Sequence, residues 1–294
     1  MRFVCTLVLV VVVAAGGGTG AAKEGELVLA YASDPAGSLD LFVAAIGDAS
    51  PRRVAGSRRD DFSPSWSPDG RRIAYRVNPL RSDAGDIWIV RADGTGARNV
   101  TRTPRVAEWS PAFSPDGKRI AYYSSASGQG GDVWVMRPDG TDRRNVTRNG
   151  QLNEYPTWSP NGRNLAFNSY RDGQFEVYRA TANGSRQRNL TRNPAHDKWP
   201  AWSPNGHHIA FVSERDGRDD VFVMRADGSG VVNLTRTSAL EETHPAWMPD
   251  GRLSFIRYGE TGPIELWTVQ VDGTDARRLD TIVEPVFVFA WKPR

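Results

Sequence analysis

The sequence predicts an all-β chain: a six-bladed β-propeller of four-stranded antiparallel blades, closed by a blade shared between the N- and C-termini. Three observations predict it. An aromatic residue followed by Ser-Pro-Asp/Asn-Gly returns at intervals of 44 to 47 residues, a period that marks a repeat architecture. Each copy is followed by the same succession of strand-like segments, and the two ends of the chain supply complementary parts of one unit.

The repeated stretch reads Trp66-Ser67-Pro68-Asp69-Gly70, Phe113-Ser114-Pro115-Asp116-Gly117, Trp158-Ser159-Pro160-Asn161-Gly162, Trp202-Ser203-Pro204-Asn205-Gly206 and Trp247-Met248-Pro249-Asp250-Gly251, and ends as Trp291-Lys292-Pro293-Arg294. Proline presets φ at the first central turn position and glycine supplies the positive φ that returns the chain, so each copy is a tight hairpin. A second strand follows each turn, as in Arg72-Ile73-Ala74-Tyr75 and His208-Ile209-Ala210-Phe211. Third strands follow, from Leu39 to Val43, Asp86 to Val90, Asp132 to Met136, Phe175 to Tyr178, Asp220 to Met224 and Ile264 to Val269. Turn signals come next: Asp93-Gly94, Asp139-Gly140, Asn183-Gly184, Asp227-Gly228 and Asp272-Gly273, with Gly47-Asp48 as a weaker first copy. Fourth strands read Asn99-Val100-Thr101-Arg102, Asn145-Val146-Thr147-Arg148, Asn189-Leu190-Thr191-Arg192 and Asn233-Leu234-Thr235-Arg236.

The first unit has strands two, three and four, whereas the C-terminus ends on an unpartnered first strand from Val286 to Trp291. Together they complete one sheet, and closing the ring removes exposed sheet edges.

Residues 1–22 combine a basic start at Arg2, an apolar run from Phe3 to Ala15 and small residues to Ala22, the pattern of a secretory signal peptide. The run is shorter than the roughly 20 residues of a spanning helix. Residues 23–294 are then one exported domain, periplasmic or extracellular, with no membrane span expected in the mature chain. The single cysteine, Cys5, falls in the leader, so neither disulfides nor thiol chemistry is expected of the mature protein. The net charge of +3 argues against nucleic acid as a partner.

The repeated Pro-x-Trp-Ser-Pro-Asp-Gly-x-x-Ile-Ala-Phe, with its Asp-Gly turns and Asn-Leu-Thr segments, resembles the TolB-type (WD40-like) β-propeller repeat over residues 26–294. The same repeat forms the propellers of prolyl-oligopeptidase-like enzymes. The resemblance implies a periplasmic binding module with a protein or peptide partner in the envelope or extracellular space. The expectation is a monomeric propeller without the α/β domain that precedes it in TolB and without a following hydrolase domain.

In a propeller the loops that lead into the first strands open onto one mouth of the central channel. Three residues before the proline of each repeat stand Asp61, Glu108, Asn153, Asp197 and Glu242, with Glu154 beside Asn153 and Glu284 in the closing blade. If the blades are equivalent, these residues form an acidic ring that recognises a partner. Converging carboxylates attract cations and raise one another's pKa. Three readings stay open: each side chain caps its own loop; Asp61, Glu108, Asp197 and Glu242 hold Ca²⁺ or Mg²⁺; or the ring docks a basic or extended peptide.

Arg102, Arg148, Arg192 and Arg236 close the outer strands, where positive charge discourages edge pairing. The Asn-x-Thr triplets at Asn99, Asn145, Asn189 and Asn233 would be glycosylation acceptors in a eukaryotic secretory pathway, but as parts of the repeat they read as strand-end packing and turn chemistry. No catalytic constellation is recognised: His196, His207, His208 and His244 lack regular metal spacing, and no nucleophile elbow or phosphate-cradling glycine loop is present. The expectation is therefore a non-catalytic binder. The alternative is a secreted propeller hydrolase or lyase acting on a sugar or lactone through a channel metal, with His196 and His244 beside Asp197 and Glu242.

Overall fold

The Ser-Pro-Asp/Asn-Gly hairpins are fixed by their own side chains. Ser67 Oγ donates to Asp69 Oδ1 at 2.5 Å and accepts the Arg72 N–H at 2.9 Å, while Asp69 also accepts the Arg71 N–H. Ser114, Ser159 and Ser203 repeat this arrangement with Asp116, Asn161 and Asn205. The computed structural model of the chain describes residues 27–33, 38–46, 50–56, 59–78, 84–127, 130–237, 240–259, 263–279 and 288–293. The expected signal peptide with Cys5, the Gly47-Asp48 turn and Glu284 lie outside the described residues.

Among the described residues the strands form six antiparallel four-stranded sheets, and the chain is an all-β, six-bladed propeller. Blade one joins Val288–Trp291 to Val28–Ser33, Asp40–Ala45 and Arg52–Ala55. Blade two is Asp60–Trp66, Arg72–Asn78, Asp86–Arg91 and Arg98–Asn99; blade three is Glu108–Phe113, Ile120–Ser124, Asp132–Met136 and Arg144–Asn145. Blade four is Asn153–Trp158, Asn164–Ser169, Glu176–Thr181 and Arg188–Asn189. Blade five is Asp197–Trp202, His208–Ser213, Asp220–Arg225 and Val232–Asn233; blade six is Glu241–Trp247, Leu253–Tyr258, Glu265–Val269 and Arg277–Arg278. The first strands touch one another in a closed ring and so line the axis. Closure follows the expected register, with Leu29 opposite Trp291 and Tyr31 opposite Phe289.

The core is a set of inter-blade layers. Ala74, Ile87, Ile89 and Val100 of blade two pack on Phe113, Ile120, Tyr122 and Met136 of blade three, and the other seams follow suit. The repeat tryptophans bridge seams: Nε1 of Trp66, Trp158 and Trp247 donates to the carbonyls of Ala290, Ala112 and Ala201 in the preceding blade. Arginines clasp the seams further out, Arg98 onto Pro138 O at 2.9 Å, Arg144 onto Ala182 O at 3.0 Å and Arg179 onto Ala226 O at 3.0 Å. The turn glycine at 140 is required by this closeness: its φ is +87°, and an added Cβ would lie 2.0 Å from Val100 O of blade two.

Most fourth strands are shorter than the sequence implies, two residues each in blades two to six. In blades two to five the Asn-x-Thr triplet ends them. Asn99 Oδ1 accepts the N–H groups of Thr101 and Arg102, and Arg102, Arg148, Arg192 and Arg236 turn to φ between 48° and 53°. The triplets thus perform the turn chemistry expected of them.

Removing residues 288–294 takes the inner strand from blade one and exposes the edge of Val28–Ser33. A chain ended at 287 is expected to lose the single cooperative thermal transition of the intact protein. Matching melts of the two chains in calorimetry would show that closure is dispensable.

Candidate functional site

Each of the first strands in blades two to six carries a β-bulge at the same place, between Phe62/Ser65, Trp109/Ala112, Glu154/Thr157, Lys198/Ala201 and Thr243/Ala246. The bulge lies at the residue before proline, which takes a left-handed conformation: Ser63 (φ 54°), Ser110 (51°), Tyr155 (51°), Trp199 (52°) and His244 (52°). Non-glycine residues rarely adopt this region, and a bulge re-aims the side chain it carries. The outcome is an aromatic cluster across the axis. The rings of Trp199 and His244 stack at 4.8 Å, Tyr155 meets Trp199 edge-on at 6.0 Å, and Tyr155 reaches His244 at 6.4 Å although blades four and six are not neighbours. Ser63 and Ser110 are the small counterparts from blades two and three.

Charged groups surround this plug. Arg76 of blade two places its guanidinium 4.9 Å from the Phe62 ring and 5.1 Å from Trp109, which stacks on Tyr123 at 3.7 Å. Lys198 Nζ lies 2.7 Å from Glu214, 3.1 Å from Asp219 and 5.2 Å from the Trp199 ring. Glu154 is half-buried, and burial pushes its carboxyl up to about 7. Burial lowers His244 to about 4, so its ring is neutral at ordinary pH. On the same end of the disc, Tyr170, 41% exposed, packs with Phe175 and His196 at centroid distances of 5.1 and 6.3 Å, and His196 Nδ1 accepts the Phe175 N–H.

The residues expected to form an acidic ring occupy a different setting. Asp61, Glu108, Asn153, Asp197 and Glu242 are each at most 3% exposed and turn into the seams instead of converging freely at the mouth. Glu108 lies against Thr101, Thr103 and Asp86 of the preceding blade, where both hydroxyls donate to Asp86. Asn153 donates to Asp132 at 3.2 Å and accepts from Arg171 at 3.1 Å. Asp197 takes two hydrogen bonds from Arg215 at 3.0 and 3.1 Å, and Glu242 one from Arg257 at 2.9 Å with Thr235 and Thr237 at 3.0 Å. Asp61 lies near Asp40 and Arg53. The physical reason is desolvation: a buried polar group must find partners, and the seams supply them to Asn153, Asp197 and Glu242. Glu154 is the member of the expected set that keeps partial exposure at the channel.

The four carboxylates considered for Ca²⁺ or Mg²⁺ therefore sit in four separate seams. Among the described residues no group of three or more His, Cys, Asp or Glu side chains is arranged to hold a metal.

Sequence reasoning missed the arginines that bond three of these positions, the carboxylates of Asp197 and Glu242 and the amide of Asn153. Arg171, Arg215 and Arg257 lie over aromatic faces of their own blades, at 4.2 Å for Tyr178, 4.9 Å for Phe222 and 4.0 Å for Trp267. For Arg171 and Arg215 the signal was the Ser-x-Arg-Asp-Gly stretch at 169–173 and again at 213–217, which Arg257 does not share. Tyr155, Trp199 and His244 were also missed as a group. Their signal was the position just before the repeat proline, which reads Ser, Ser, Tyr, Trp, His from blade to blade and follows an equally variable Phe, Trp, Glu, Lys, Thr, while the proline after it is constant.

Two outcomes follow from these seams. Arg215→Ala leaves the Asp197 carboxylate buried without its cation and is expected to cost about 3–5 kcal/mol, measured by denaturant unfolding. A loss below about 1 kcal/mol would mean that Asp197 is satisfied otherwise.

Burial pushes Asp61, Glu108, Glu154 and Glu242 up to about 7, so the folded chain holds these protons more tightly than the unfolded one. Their contribution to stability is fully present below about 4 and is lost as pH rises through about 7. His244 acts oppositely: its depressed value gives a contribution present above about 6.5 and lost as pH falls through about 4. With four groups against one, Tm is expected to fall between pH about 5 and about 8, and Glu108→Gln to flatten part of that fall. A Tm that rises across this range would contradict the assignment.

The model of the TolB beta propeller domain family matches residues 81–285 of this chain. The Tol-Pal system protein TolB of Anaeromyxobacter dehalogenans (strain 2CP-C) is 41% identical over 54 residues, 18% of this chain and 12% of that protein, so the match spans about an eighth of the relative's length. Among solved structures, TolB from Acinetobacter baumannii superposes with a TM-score of 0.79 at 24% identity, covering 91% of this chain and 67% of that one. A chain of a nidogen/laminin complex superposes with a TM-score of 0.69 at 11% identity, covering 91% and 98%. At these identities the superpositions establish the shared fold.

Proposed function

The chain belongs to the TolB beta propeller domain family, and from that premise we propose an exported, non-catalytic binding module that docks a protein or peptide partner at the channel mouth. The rigid ring supplies geometry, and the loops leading into the first strands supply contacts. What carries the reading is the mouth-side grouping of an exposed aromatic, Tyr170 with Phe175 and His196, beside the half-buried carboxyl of Glu154 and the ammonium of Lys198. Exposed aromatics flanked by charges are the composition that anchors protein interfaces.

Binding is favoured over catalysis by how the two mouth histidines are used. His196 accepts a backbone N–H, and His244 is sandwiched against Trp199 within reach of Tyr155. The buried acids Asp61, Glu108, Asp197 and Glu242 and the amide of Asn153 act in this reading as supports that hold the mouth loops to their seams. Export rests on the leader pattern of residues 1–22, and no helix among the described residues is long and apolar enough to cross a membrane.

The test is capture from envelope and secreted fractions of the source organism, with the partner chemically crosslinked and identified. Wild type is expected to retain a protein that the triple variant Glu154→Gln, Tyr170→Ala, Lys198→Met loses, whereas Arg148→Ala with Arg192→Ala on the outer edge keeps it. Equal retention by the triple variant would remove the interface from the mouth.

A further inference from the structure

The hairpin face, at the opposite end of the disc from the mouth, carries clefts between successive blades. The cleft between blades two and three has a volume of about 520 Å³ and is lined by Arg72, Arg98, Lys118, Arg137, Pro138 and Asp139. Among the described residues that line it, Asp139 is the one carboxylate, and both the N–H and the hydroxyl of Thr141 already bond it, at 3.0 and 2.6 Å. Two of the cations are held in place. Arg98 donates to Pro138 O at 2.9 Å, and the Arg72 guanidinium rests over the Phe113 ring at 5.7 Å. Arg137 has a loose, exposed pairing to Asp142 at 3.8 Å.

The fold does not require this many cations, because it builds the same cleft elsewhere with fewer. Between blades four and five a cleft of about 570 Å³ is lined by Asn164, Arg179, Trp202, His207 and Ala226. Asn164 corresponds to Arg72, since the backbone N–H of each bonds the turn serine two strands' ends away, Ser159 or Ser67. His207 corresponds to Lys118, since the N–H of each bonds the turn carboxylate or amide, Asp116 or Asn205. Arg179 and Arg98 reach the corresponding carbonyls, Ala226 O and Pro138 O. One cleft therefore has an asparagine and a histidine at the two positions where the other has an arginine and a lysine.

We propose that the cleft between blades two and three is a binding site for a phosphoryl group, with Arg72, Arg98, Lys118 and Arg137 as its donors. Planar guanidinium forks match phosphate oxygens bidentately, and four cations against the occupied carboxylate of Asp139 and the loosely paired one of Asp142 leave charge for a dianion. The phosphoryl group can be carried by a soluble molecule or by a lipid headgroup, and the site lies apart from the proposed mouth interface.

The full-length mature chain would be titrated calorimetrically with inorganic pyrophosphate at low ionic strength, and floated in parallel with phosphatidylglycerol/phosphatidylcholine vesicles against phosphatidylcholine alone. The diagnostic variant is Arg72→Asn with Lys118→His, which installs the residues of the cleft between blades four and five at the same backbone positions. Its Tm is expected to match wild type, while its affinity falls by about tenfold or more. Pyrophosphate binding lost in the variant supports a site for soluble phosphoryl ligands; vesicle flotation lost in the variant supports the lipid-borne source. Absence of binding in both arms for wild type, or equal binding by the variant, would overturn the proposal.

Discussion

At the mouth end of each seam, the acid that opens a third strand must be satisfied away from water, and much of the architecture follows from how it is. Asp86 takes Asn99 Nδ2 at 2.8 Å and Thr101 Oγ1 at 3.2 Å; Asp132 takes Asn145 and Thr147; Asp220 takes Asn233 and Thr235. Because the Asn and Thr come from the outer strand, the bonding stops that strand after two residues and bends it toward the next blade. The next first strand then begins with its own buried acid or amide on the other side of the seam. Blade four shows how tightly the arrangement is coupled. There Glu176 is longer by a methylene, Thr191 and the Asn193 N–H reach it, and Asn189 turns to Asp172 instead.

The seam also explains why the ring is chemically lopsided although its repeat is regular. Blades four, five and six send Arg171, Arg215 and Arg257 from their second strands' ends onto the first-strand polar group. Among the described residues blade three sends no such arginine to Glu108, whose carboxyl rises to about 7 through burial first of all. The channel repeats the asymmetry, with Tyr155, Trp199 and His244 on the side of blades four to six and Ser63 and Ser110 facing them. A partner approaching the mouth thus meets one aromatic half and one half lined by small residues.

How much of this was legible in the chain depends on range. The hairpins, the strand order and the closure of Val288–Trp291 onto Val28–Ser33 were readable because turn chemistry and period are local or counted along the sequence. The identity of the acidic positions was readable too, but not their burial. Whether Asp197 faces water depends on Arg215, eighteen residues away in sequence, choosing the Phe222 face as its platform. The cationic cleft was likewise hidden, because Arg72 and Lys118 belong to different blades and only the seam brings them together.

The left-handed residues ahead of the five prolines separate two jobs that a strand ordinarily combines. Pairing and register on either side are fixed by the bulge and its proline, whereas the side chain at the bulge leaves the ladder altogether. A substitution there rewrites the lining of the axis while the blade's own bonding stays as it was. The repeat thereby works as a frame with interchangeable inserts: a lineage could retune what the channel admits, one spoke at a time, without renegotiating the wheel.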